Sequence, residues 1–113
     1  MRLKVLSLAW AAALGGCTTT LTLPVQATMQ GTPERLTGTA TGHLDGAGEL
    51  RLTSTTTGAV CQGKFVYTQP REGSGTLSCS DGRSGPFKFA STGSRGTGDG
   101  ALDGTPFTFT FGL

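Results

Sequence analysis

Gly96-Thr97-Gly98-Asp99-Gly100-Ala101-Leu102-Asp103-Gly104-Thr105-Pro106-Phe107-Thr108-Phe109-Thr110-Phe111 is the stretch that decides the fold. From Phe107 to Phe111 every phenylalanine is answered by a threonine, a period of two that belongs to a half-buried β-strand. Just upstream, Asp103-Gly104 supplies residue types that tolerate the positive φ angles of a tight hairpin. With these two as the loop, Leu102 falls opposite Thr105, Gly100 opposite Phe107, Gly98 opposite Phe109 and Gly96 opposite Phe111. Each ring then faces a residue with no side chain of its own, and a large aromatic can lie over it across the ladder. A chain with 19 glycines can in this way still build a core, because the rings supply most of the area removed from water.

The same alternation extends towards the start of the chain. Leu21, Leu23, Val25, Ala27 and Met29 form one series, although Pro24 marks that strand as an edge or a bulged strand. Leu36, Gly38, Ala40, Gly42 and Leu44 form a second, with threonines and His43 between them. Leu50 and Leu52, then Cys61, Gly63, Phe65 and Tyr67, then Leu77 and Cys79, then Phe87 and Phe89, continue it. Turn residues fall between these runs: Gly31-Thr32-Pro33-Glu34, Asp45-Gly46, Gln69 to Gly73, Asp81-Gly82 and Asp103-Gly104. No segment has helical periodicity. The sequence predicts an all-β domain over residues 21–113, an antiparallel meander of about eight strands closed into an up-and-down barrel, with a two-sheet sandwich as the alternative. Gly38 to Gly46 also matches Gly96 to Gly104 at six of nine positions, which suggests a repeated hairpin unit.

Cys61 and Cys79 are centred on Pro70, so a hairpin with that midpoint sets them directly across from one another, with Gly63 opposite Leu77 and Phe65 opposite Gly75. In an oxidising compartment such a pair is expected to form a disulfide. Neither cysteine belongs to a Cys-x-x-Cys pair and the chain has one histidine, so no metal or cofactor is expected.

The beginning of the chain has a different character. Arg2 and Lys4 precede the apolar run Val5 to Leu14, which has the length of a signal-peptide core and falls short of a membrane span. Leu14-Gly15-Gly16-Cys17 follows, and it resembles the lipobox of bacterial lipoprotein precursors. That resemblance implies removal of residues 1–16, lipidation of Cys17 as the new N-terminus, and a short tether over residues 17–20. Two or three acyl chains make a stable anchor where one would be marginal. Thr18 follows the cysteine in place of the aspartate that retains Gram-negative lipoproteins in the inner membrane, so the resemblance implies a cell envelope location, at the outer membrane facing the periplasm.

Processing would also change the charge. The full 113-residue chain carries +2, but Arg2 and Lys4 account for it, and residues 17–113 are neutral. With no basic cluster after Lys4, nucleic acid is not an expected partner. Catalytic signatures are also missing: no Gly-x-Ser-x-Gly motif occurs, and His43 falls by parity on the threonine side of its strand. Gly96-Thr97-Gly98-Asp99-Gly100 is not followed by a helix that could hold a phosphate, and one strand bearing Asp99 and Asp103 cannot converge six oxygens on a calcium ion. The expected function is therefore a lipid-anchored, non-catalytic binding or structural β module with a protein partner in the envelope. An inhibitor of a secreted lysozyme or protease, and a small-ligand carrier, are the alternatives. Gln69, Arg71, Glu72, Arg83 and Arg95, on or near expected loops, are the candidate contact residues.

Overall fold

The alternating segments form eight strands in the computed structural model, which describes residues 20–113; the expected signal peptide and Cys17 lie outside the described residues. They are β1 (Thr20–Met29), β2 (Arg35–His43), β3 (Ala47–Ser54), β4 (Val60–Gln69), β5 (Glu72–Cys79), β6 (Ser84–Thr92), β7 (Arg95–Leu102) and β8 (Thr105–Gly112). Each pairs antiparallel with the next, and β1 pairs with β8, so the sheet is a closed up-and-down barrel rather than a sandwich. Pro24 lies one residue beyond Val25↔Phe111, the last pair of the β1–β8 seam. The strand is not an edge strand, but its proline stands where the closing ladder has ended. The outer wall is polar and carries cross-strand threonine pairs such as Thr37↔Thr53, Thr28↔Thr108 and Thr97↔Thr110.

The register expected around Asp103-Gly104 is the observed one, with Gly100↔Phe107, Gly98↔Phe109 and Gly96↔Phe111. Asp103 (φ 50°) and Gly104 (φ 85°) both take the left-handed conformation that a two-residue hairpin loop needs. The aromatic-on-glycine arrangement extends to all six phenylalanines: a Cβ on Gly100, Gly98, Gly96, Gly75, Gly73 or Gly48 would run into the Cζ of Phe107, Phe109, Phe111, Phe87, Phe89 or Phe65, respectively. Every ring lies over the strand that precedes its own. Phe65 is accordingly paired with Gly75 in register, as expected, while its ring covers Gly48 on the other side.

Another group of glycines shapes the wall itself. A Cβ on Gly38, Gly63 or Gly85 would strike the backbone carbonyl of Arg51, Thr76 or Ala101 on the next strand. These are close approaches of backbone to backbone on β2, β4 and β6, the places where a small barrel bends sharply to close. The sequence shows the glycines but not this division of labour among them.

Cys61 and Cys79 are paired across β4 and β5 and joined as a disulfide, with Cα atoms 3.8 Å apart. A crosslink spanning 18 positions constrains the unfolded chain by about 3 kcal/mol in the chain-entropy picture. Replacing both cysteines with alanine is expected to lower the melting temperature by on the order of 10 to 20 °C, measured by circular dichroism. A reductant should then shift the melt of the parent and leave the variant's unchanged.

Two sequence expectations are corrected. The Gln69–Gly73 turn is tighter than expected: Gln69 pairs with Glu72, a register shift falls between Tyr67 and Gln69, and only Pro70 and Arg71 form the tip. Gly73 is already a strand residue facing the core. The repeated unit, moreover, is not a structural repeat. Its first copy turns after β2 and leaves Leu44 83% exposed, whereas the second turns after β7 with Leu102 1% exposed. The β2–β3 turn is also longer, closing at Gly42↔Gly48, and only Gly46 in it has positive φ.

Candidate functional site: the open end of the barrel

The two ends of the barrel differ, and exposure along each strand shows how. On β8 Phe107 and Phe109 are buried and Phe111 is half-buried; on β4 Cys61 and Phe65 are buried while Tyr67 is 40% exposed. On β1 burial runs the other way along the chain, from buried Met29 back to Leu21 at 53% exposed. All three gradients point to one end. That end carries the start of β1, the β2–β3, β4–β5 and β6–β7 turns, and the end of β8.

The opposite end is plugged. Leu36, Leu52, Leu77, Leu102 and Phe107 fill it, and Ala59 is buried in the loop between β3 and β4. Ser54, also buried, accepts hydrogen bonds through Oγ from the Thr56 and Thr57 amides, which holds that loop down. Across the same end, Arg83 donates from both Nη atoms to the two Glu34 carboxylate oxygens, each at 3.0 Å, and from Nε to Asp81 at 3.0 Å. A bidentate pair of this kind fixes geometry as well as contributing energy. Arg83 therefore ties the β1–β2 and β5–β6 turns together at the plugged end, apart from the other candidate contact residues.

The Arg83 guanidinium, and after it the Ser54 hydroxyl, hold the Glu34 carboxyl below its ordinary value of 4.5, against a smaller opposing effect of burial. Because Glu34 is easier to ionise in the folded than in the unfolded protein, its contribution to stability is present above that ordinary value. It is lost as the pH falls through the lowered one. Glu34→Gln is expected to flatten the acid limb of the stability profile in denaturant titrations. Arg83→Ala should cost about 1 to 2 kcal/mol near neutral pH.

At the open end the aromatics form a shallow cup. Phe65 and Phe89 meet edge to face at 5.0 Å between centroids, Tyr67 and Phe89 at 5.5 Å, and Phe89 and Phe111 at 5.8 Å. With Leu21 and Leu23 they line a cavity of about 60 Å³. Ligand sites for drug-sized molecules run to roughly 300 to 1,000 Å³, so this cup admits only a thin apolar group. A larger concavity of about 900 Å³ lies against the wall, where threonines and the exposed Lys88–Asp99 pair give it a solvated, polar character.

Gln69, Arg71, Glu72 and Arg95 lie on the rim of the cup, on the side of the β4–β5 and β6–β7 turns. His43 is half-buried at the same rim, at the end of β2. Asp45 beside it accepts a hydrogen bond from the Ala47 amide and so serves the turn. Asp99 binds Lys88 Nζ at 2.9 Å on the outer wall, and Asp103 accepts from the Ser84 amide. The aromatic cup itself was not anticipated; its signal was the parity that puts Leu21, Phe65, Tyr67, Phe89 and Phe111 on inner positions near one set of turns.

Solved structures share this architecture. The likeness is to designed barrels. A redesigned beta barrel, mFAP1, bound to DFHBI, superposes with a TM-score of 0.68 at 13% identity, covering 81% of this chain and 92% of that one. A second, a de novo designed fluorescence-activating beta barrel, gives 0.61 at 16% identity, with 80% and 89% covered. At such identities the likeness is one of fold. No protein-family model and no curated protein matches the chain.

Proposed function

We propose that the chain is the precursor of a bacterial lipoprotein, anchored through Cys17 in the cell envelope at the periplasmic face of the outer membrane. Its barrel acts there as a non-catalytic binding or structural module. The observation that carries this reading is Leu14-Gly15-Gly16-Cys17, placed behind a charged and then apolar leader and three residues ahead of the first strand residue, Thr20. The wall supports a barrel standing in water beside the membrane: its outward positions include Arg51, Gln62, Lys64, Lys88 and Asp99 along with the threonines, the reverse of the apolar belt of a barrel that spans lipid. The Cys61–Cys79 disulfide suits an oxidising compartment.

The other readings have less to work with. A small-ligand carrier finds a counterpart in the DFHBI-bound designed barrel, but the rings already fill most of this interior. A hydrolase inhibitor needs a projecting loop, and the Gln69–Gly73 segment has only a two-residue tip. Expression in a Gram-negative host followed by mass spectrometry tests the proposal. The mature chain is expected to begin at an acylated Cys17, and Cys17→Ser should retain residues 1–16 and incorporate no labelled palmitate. A Cys17→Ser chain that is still labelled would overturn the proposal.

A further inference from the structure

Five large apolar side chains are exposed among the described residues: Leu21, Leu44, Val66, Tyr67 and Leu113. All five lie at the open end. Leu113 follows β8, Leu21 opens β1, Leu44 is in the β2–β3 turn, and Val66 and Tyr67 are near the end of β4. In barrel order they span one continuous arc, β8-β1-β2-β3-β4, which includes the strand that follows the tether. Of the charged rim residues, Arg71 and Glu72 lie past the end of β4 and Arg95 lies at the start of β7, where Nη2 donates to the Leu113 carbonyl at 3.3 Å, while Asp45 follows Leu44 within the arc. Single exposed leucines need no explanation, but their confinement to one arc of one end does.

We infer that this apolar arc is a membrane-contact surface, on which the barrel stands mouth-down with the cup facing the acyl region of the bilayer that holds its anchor. The inference rests on the lipoprotein reading for its geometry. From Cys17 to Thr20 is three residues, which reach at most about 10 Å when fully extended. An acyl-bearing Cys17 lies at the lipid interface, so the rim that carries Thr20 is held within that distance of the headgroups. The plugged end is turned away, with its ion pair in water. The large exposed side chains of the arc are apolar and the charges around the rim balance, Arg71 and Arg95 against Asp45 and Glu72, so contact needs no anionic lipid. Phosphatidylcholine alone should suffice.

Tyr67 is the only tyrosine in the chain, and the only tryptophan, Trp10, lies in the leader, so the processed protein carries its own reporter on the arc. In vesicles of brominated phosphatidylcholine, the lipidated protein in a Trp10→Phe background is expected to lose about half of its Tyr67 emission, since an interfacial apolar face sinks about 5 to 10 Å. A tryptophan introduced by Thr56→Trp sits at the plugged end, about 20 Å away by strand rise and tilt, and should keep nearly all of its emission. Leu21→Asp with Leu44→Asp should restore Tyr67 emission while the protein stays with the vesicles. Unquenched Tyr67 in a protein shown by mass spectrometry to be acylated would overturn the inference while leaving the anchor in place, and so would equal quenching at both ends. If no acyl group is found, the anchor reading fails by itself. Residues 18–113, which keep all eight strands and carry neither leader nor acyl group, mixed with the same vesicles then test the arc alone: quenching supports it and none overturns it.

Discussion

Gly85→Ala is expected to destabilise the barrel by about 3 kcal/mol or more, and to lower the melting temperature by on the order of 15 °C, although it adds only one methyl group. The backbone conformation of Gly85 is not the reason, for it is absent from the glycines with positive φ. The reason is room. A Cβ there would meet the Ala101 carbonyl oxygen and lie 2.9 Å from its carbon and 3.5 Å from Leu102 Cα. A flexible side chain could swing aside, but these are main-chain atoms of β7, and moving them opens the wall where Leu102 is buried. Gly38 and Gly63 are in the same position against Arg51 and Thr76, and each is paired with a fully buried leucine, Leu52 or Leu77. Alanine at any of the three should act alike, whereas alanine at Gly42, whose Cβ would meet nothing within 4 Å, should be nearly neutral. Thermal melts of the four variants followed by circular dichroism check this. A Gly85→Ala melt within about 2 °C of the parent would show that the strands have slack at that corner.

Phe109→Ala is expected to cost about 3 to 5 kcal/mol, the range for removing a buried aromatic ring. Phe109 is 4% exposed, packs edge to face on Phe87 at 6.2 Å, and lies between Phe107 and Phe111 at 6.0 and 6.3 Å. Its tip covers Gly98, so truncation leaves a void and also bares a stretch of β7 backbone that has no side chain to replace it. The rigid glycine wall cannot collapse into the space. Phe111→Ala, at the half-buried rim where water can enter, should cost only about 1 to 2 kcal/mol. Urea unfolding of the two variants compares them directly, and equal losses would mean that burial depth along β8 does not set the energy.

Much of the fold was legible because a period of two and a hairpin register are local properties. Phe107 to Phe111 against Gly96 to Gly100 needed only the Asp103-Gly104 turn, and Cys61 against Cys79 needed only a midpoint. Closure beyond neighbouring hairpins was not legible to the same degree. The match between Gly38–Gly46 and Gly96–Gly104 misled, since β2 runs towards the open end and β7 away from it. The same letters Leu-Asp-Gly thus end at opposite ends of the barrel, with Leu44 in solvent and Leu102 in the core. Arg83 looked like the other loop arginines until its partner Glu34, 49 residues away, was in place.

The sequence by itself determined that the chain is a β meander with aromatic rings set against glycines and with Cys61 set across from Cys79, because these depend on neighbours, turns and spacing. Only the tertiary structure decided that one end is plugged by an ion pair and buried leucines while the other opens as an aromatic cup with an apolar arc. Which end a residue reaches depends on the direction of its strand and on β1 meeting β8. Both follow from closing the whole sheet, and no local window of residues contains that information.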